Sequence, residues 1–203
     1  MKRGKAMEAE RQALRRLEEA KELRDGGVHD AALDLVDEVL GSVSGESLVA
    51  ALTLRGDALS QLGRAAEALE AYAEALRIRS DHVPALVGTG AAHLLLEQWG
   101  AADRTFGEVL GVEPAHLKAL LGRGFAARGE RRLDDAQEWL LRAYREGGES
   151  TLALKELLDV ASATGSFDLL ADVLCSRVAA HPEEPHVGFA LAAVLYRTGR
   201  YGE

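Results

Sequence analysis

The sequence contains no asparagine, a single cysteine and few aromatic residues, 5% of the 203 positions. The lone Cys175 excludes an internal disulfide and suits a reducing compartment; on a helical stretch it reads as a small core residue. Basic residues do not predominate either. A net charge of −9 and an isoelectric point near 5.2 argue against nonspecific binding to nucleic acid or to an anionic membrane. No run approaches the roughly 18 uninterrupted apolar residues of a membrane helix, and the basic start MKRGKAMEAERQ has no apolar stretch behind it, which excludes a secretory signal. The chain therefore reads as soluble and cytoplasmic, with no membrane insertion. Phosphate loops, nucleophile elbows and Cys–His dyads are all missing, so no catalytic residue and no cofactor is expected. The absence of asparagine, with arginine far outnumbering lysine, suggests a GC-rich bacterial source.

What is present is a helical pattern rich in Ala and Leu, within 47% hydrophobic residues. From Val49 to His82, apolar and small residues recur at three and four, the spacing of one helix face. Gly63 breaks this stretch into two runs. Leu52, Gly56 and Leu59 line the first, and Ala68, Tyr72 and Ala75 the facing side of the second. Small residues at Gly56 and Ala68 allow the axes to approach to about 8–10 Å. The stretch is a helical hairpin, and a lone hairpin cannot bury both faces. It recurs: Gly56, Gly90 and Gly124 stand 34 apart, as do Ala68, Ala102 and Ala136, and Ala75, Val109 and Ala143. One period kept in three registers is the signature of stacked helix pairs.

On these residues the chain resembles the tetratricopeptide repeat (TPR) family. Leu86, Gly90, His93, Ala102, Phe106 and Pro114 fall where that family places its tryptophan, glycine, tyrosine, alanine, phenylalanine and proline. The resemblance implies an all-α fold, a right-handed superhelical solenoid of antiparallel helix pairs, about five and a half repeats long. The expected units are residues 13–48, 49–82, 83–116, 117–150 and 151–184, with a partial unit at 185–203.

Several departures mark individual units. Residues 1–6 are expected to fray, with a charged helix from Met7 to about Asp25, and the longer first unit to end in a flexible GSVSGES connection with Ser47 as a helix cap. Glu97 and Gln98 replace glycine in the turn of the third unit, and Gly147 and Gly148 close the fourth. In the fifth, Leu158 and Leu170 occupy places held elsewhere by Gly or Ala, which should push that hairpin apart. The closing TGRYGE looks like a turn and the first residues of another helix, so the chain is expected to be the amino-terminal part of a longer protein, or to pair through an open end.

In the family, the first helices of successive units line a concave groove. By resemblance, the groove places fall on Lys21 in the first unit, Asp57 and Gln61 in the second, and Val87, Gly88, Ala91, Leu94 and Leu95 in the third. Lys118, Leu121, Gly122, Phe125 and Arg128 follow in the fourth, and Lys155 in the fifth. The middle of this set is apolar, with Lys118 and Arg128 at its edge, which suits a partner helix or extended peptide; self-packing of the curled superhelix is the alternative. Gly88 and Gly122 recur at one groove place, for close approach of a ligand backbone or for tight packing between units. One version of the family clamps a chaperone's terminal carboxylate with lysines, an arginine and asparagines. Here Thr53, Asp57, Pro84 and Gly88 stand at the corresponding sites, so that clamp is absent. His93 replaces a core tyrosine and is expected to be buried and hydrogen-bonded. The His181–His186 loop with Glu183 and Glu184 could hold a metal only by accident, and no metal site is assigned. The expected function is a protein-interaction module that binds a peptide or helix in its groove. The alternative is a regulatory or scaffolding arm of a larger enzyme or assembly, contacting or self-associating through its C-terminal end.

Overall fold

The computed structural model describes residues 2–147 and 151–200. Eleven helices, α1 (Lys2–Asp25), α2 (His29–Val39), α3 (Gly45–Gln61), α4 (Ala65–Ile78), α5 (Val83–Leu95), α6 (Trp99–Val112), α7 (Leu117–Gly129), α8 (Leu133–Gly147), α9 (Thr151–Thr164), α10 (Asp168–Ala180) and α11 (Pro185–Thr198), follow one another with no strand among the described residues. From α1 to α9 each helix packs on its chain neighbours, and α10 packs on α11. The connections are too short for anything but antiparallel neighbours. First helices also approach one another, α1 to α3, α3 to α5 and α5 to α7, to a degree that second helices do not. In a curved stack the inner members are the closer ones, so odd-numbered helices form the concave side up to α7.

The periodic small residues make this stacking work. Ala68, Ala102, Ala136, Ala75, Val109 and Ala143 are all fully buried. A large side chain from each second helix fills the space facing the periodic glycines. A β-carbon added at Gly56 would lie 2.5 Å from the Tyr72 ring, at Gly90 2.7 Å from the Phe106 ring, and at Gly124 2.7 Å from Leu140.

Local differences from the sequence expectation have simple causes. Helix α1 begins at Lys2, because the stretch expected to fray is rich in strong helix formers. The GSVSGES connection is not flexible: Leu40–Ser42 form a 3₁₀ turn and Val43 is buried between α1, α2 and α3. Helix α3 then starts at Gly45, so Ser44 takes the cap position and Ser47 lies inside the helix. Glu97 and Arg131 adopt φ of 55° and 61° in the turns of the third and fourth hairpins, where Gly27, Gly63 and Gly165 serve elsewhere. His93 is half-buried rather than enclosed, its Nδ1 2.7 Å from Oε1 of Gln98. The expectations resting on Gly148 and on Tyr201–Glu203 lie outside the described residues.

The fifth hairpin opens as its leucines predict. Helices α9 and α10 make hardly any close backbone approach, and the gap is filled by side chains, with Leu157, Leu170 and Leu174 fully buried in one cluster. Helix α10 also packs on α11, and Arg177 donates to both carboxylate oxygens of Glu184, just before α11, at 3.0 and 2.6 Å.

Candidate functional site

The concave side holds two confluent cavities. The first, about 890 Å³, is lined by α1, α3, α5 and α7, and includes Asp57, Gln61, Val87, Gly88, Ala91 and Lys118. The second, about 530 Å³, is lined by Gln61, Ala91, Leu94, Leu95, Phe125 and Arg128, together with Trp99 and Gly129. Gln61 and Ala91 belong to both, which makes the surface continuous. Ten of the fourteen sequence-predicted residues therefore line one hollow. Its floor is apolar, and Leu95 is 60% exposed within it.

Four predicted residues do not line these cavities. Leu121 is only 8% exposed and packs into the core between α7, α8 and α9. Gly122 is buried under the Phe106 ring, where an added β-carbon would lie 2.2 Å from Cε2. Neither lines the hollow, because Leu121 turns into the core and the ring of the preceding unit covers Gly122. Lys21 is tied to Glu18 at 2.7 Å, and Lys155 lies exposed beyond the hollow. Gly88 lines the first cavity, but an added β-carbon there would meet Cζ of Tyr72 at 2.3 Å. The recurrence of Gly88 and Gly122 thus serves packing between units. Tyr72 lies between Gly56 and Gly88, and Phe106 between Gly90 and Gly122.

The charges in the hollow are mostly committed. The Tyr72 hydroxyl donates to Oδ1 of Asp57 at 2.8 Å, and Arg24 donates to Oδ2 at 2.7 Å, so α1, α3 and α4 meet at one carboxylate. Burial, followed by the nearby Asp57 charge, pushes the Tyr72 hydroxyl far above its ordinary pKa and keeps it a donor. Arg128 donates to the buried Glu156 of α9 and lies 5.6 Å from the Phe125 ring centre. Lys118 is exposed and makes no ion pair among the described residues. At the mouth, the His116 Nδ1 accepts from the Ala119 amide at 3.2 Å and caps α7.

Sequence reasoning missed Trp99, which seats on Gly129; a β-carbon there would stand 2.3 Å from its ring. It also stopped one unit short. Adding one period to Lys155, and to Asp159 and Ser162, which hold further groove places of the fifth unit by the same resemblance, gives Phe189, Ala193 and Tyr196, all exposed on α11, with Phe189 at 76% and Tyr196 at 73%. In the His181 loop, ligand atoms of His181, Glu183 and Glu184 lie within 4.8 Å of one another. The Arg177 clamp already holds both Glu184 oxygens, so a cation would have to displace a guanidinium. Among the described residues no helix is long and apolar enough to cross a membrane.

Comparison with known proteins gives one consistent answer. A family model described as tetratricopeptide repeat matches residues 17–83 and 89–151, more than half of the chain. A search of curated proteins finds no match. Among solved structures, MamA from Desulfovibrio magneticus RS-1 is similar, with a TM-score of 0.69 at 18% identity over 94% of this chain and 97% of that one. A thermophilic TPR protein of Thermus thermophilus gives 0.65 at 18% identity, over 91% of this chain and 99% of its own. The first TPR of Spaghetti (RPAP3), solved bound to the HSP90 peptide SRMEEVD, gives 0.57 at 18% identity, over 61% of this chain and 98% of that one.

Proposed function

Because the chain belongs to the tetratricopeptide repeat family, we propose that it is a protein-interaction module that binds a peptide or helix of a partner protein in its concave hollow. The observation that carries this reading is the exposed apolar strip Val87, Ala91, Leu94, Leu95 and Phe125, spanning two units and confluent between two cavities. Apolar surface of this kind, held open by a rigid helical frame, favours a guest that buries side chains there. Lys118 at one edge supplies an uncommitted positive charge. Asp57 and Arg128 are occupied within the protein and act as walls. The same commitment of charges supports a non-enzymatic role.

Replacing Leu95 and Phe125 together by Asp tests the hollow. Leu95 is largely exposed and Phe125 half-buried, so the helical circular dichroism should persist. Proteins retained by the wild-type chain from a lysate of its source should be lost. Retention equal to wild type would exclude the hollow as the binding surface.

A second reading rests on α11. Its exposed Phe189, Ala192, Ala193 and Tyr196 recur at three and four and form an apolar stripe. Such a stripe supports a scaffolding or regulatory arm that contacts a neighbour, or a second copy, through the C-terminal end.

A further inference from the structure

The separation of α9 from α10 has a counterpart on the outer face. There α8 and α10 flank an elongated cleft formed by two cavities of about 420 and 380 Å³. Arg145 and Leu169 line both. From Asp134 to Arg145 the cleft follows α8 for about 16 Å, or three helical turns. Leu141, Val173 and the Tyr144 ring supply apolar walls, and Leu169 is half-exposed between them.

Two donors in this cleft are unmatched among the described residues, and only the second of them is open to a guest. Tyr144 is only 5% exposed, yet its hydroxyl is shielded from water without a hydrogen-bond partner. Leaving a buried hydroxyl unsatisfied costs about 1–3 kcal/mol. The Arg145 guanidinium is exposed and makes no ion pair, whereas Arg177 and Asp172 beside it are held by Glu184 and Arg200. At the opposite end the cleft carries exposed Asp134 and Glu138. It is thus apolar along its length, with one open positive charge at the C-terminal end of α8 and acidic groups at the N-terminal end.

We propose that this outer cleft seats an amphipathic helix of a partner protein, running antiparallel to α8, with an acidic first turn at Arg145 and a basic last turn at Asp134 and Glu138. Charge complementarity fixes the direction, and the helix dipoles agree with it. The guest's positive end meets the negative C-terminus of α8, and acidic residues are favoured in a first turn and basic ones in a last turn. An apolar stripe at three-and-four spacing seats on Leu141, Leu169 and Val173. The site is separate from the concave hollow and does not depend on it.

The test uses two fluorescein-labelled synthetic helical peptides of about 14 residues. They share one leucine stripe; one is acidic first and basic last, and the other has the charges reversed. Anisotropy titration against the full chain should favour the first by about tenfold or more. Leu169→Asp should weaken both peptides, and Arg145→Glu should reverse the preference. The Leu95→Asp, Phe125→Asp double variant should leave binding unchanged. Equal affinity for the two peptides, no binding of either, or a preference that survives Arg145→Glu would overturn the proposal. Loss of binding in the concave double variant would assign the peptides to the hollow instead.

Discussion

Tyr72 and Phe106 each sit in a slot with glycine on both sides, one glycine from the same hairpin and one from the next. Glycine inside a helix costs about 1 kcal/mol relative to alanine, so at an open position Gly→Ala would stabilise. At Gly122 the sign reverses, because the new methyl would stand 2.2 Å from the ring and force Phe106 aside. Overpacking costs about 1–3 kcal/mol, enough to cancel the propensity gain and exceed it. Gly122→Ala should lower the thermal midpoint by about 2–4 °C for each kcal/mol lost, and Phe106→Leu in the same background should recover part of the loss. Differential scanning calorimetry of the three chains decides it. The 34-residue spacing of these glycines was legible in the sequence, and tight packing between units was one of its two readings, but the ring each glycine receives was not legible. The ring that needs each slot comes from a different helix, and nothing local marks which glycines it faces.

At the scale of elements, the hairpin α9–α10 was readable because Leu158 and Leu170 break a pattern that three earlier hairpins keep. The turn at Leu40–Ser42 was not, since a lone Val43 gives no periodic sign that its side chain will be buried. With its backbone set apart from α9, α10 leans also on α11, and the Arg177–Glu184 pair joins the end of one to the start of the other. The hydrogen bonds from Arg177, and after them its charge, hold the Glu184 carboxyl below its ordinary value. A carboxyl depressed in the folded state contributes stability above its unfolded pKa and loses it as pH falls through the folded value. Glu184→Gln should therefore lower the thermal midpoint at pH 7, and the two midpoints should converge below about pH 4. Circular dichroism melts across that range check it; a gap that persists in acid would mean that the pair does not act through charge.

Across the whole molecule, stacking of neighbour on neighbour followed from the period, and most of the hollow from the family resemblance laid over that period. Ten of fourteen expected residues line it because the register of a regular helix places every groove position at once. Register could not reveal the pairing of Arg128 with Glu156 or of Arg24 with Asp57, since both join different units. The apolar stripe on α11 makes its own prediction for the molecule as a whole. If it mates copies of the chain, sedimentation velocity should show mass rising with concentration, and Phe189→Glu should hold the chain monomeric. A wild-type monomer at high concentration would remove self-association.

The intercalated rings also bear on shape. Helices α3, α5 and α7 crowd together over the span in which Tyr72 and Phe106 slot between glycines, and the crowding ends between α7 and α9, where the sequence has Glu156 one period after Gly122. A chain built this way is a bow that bends tightly along its first half and relaxes along its second. Its bore is set by the thickness of a few wedges, so repeats of one length can be wound to different diameters by exchanging a phenyl for an isobutyl group.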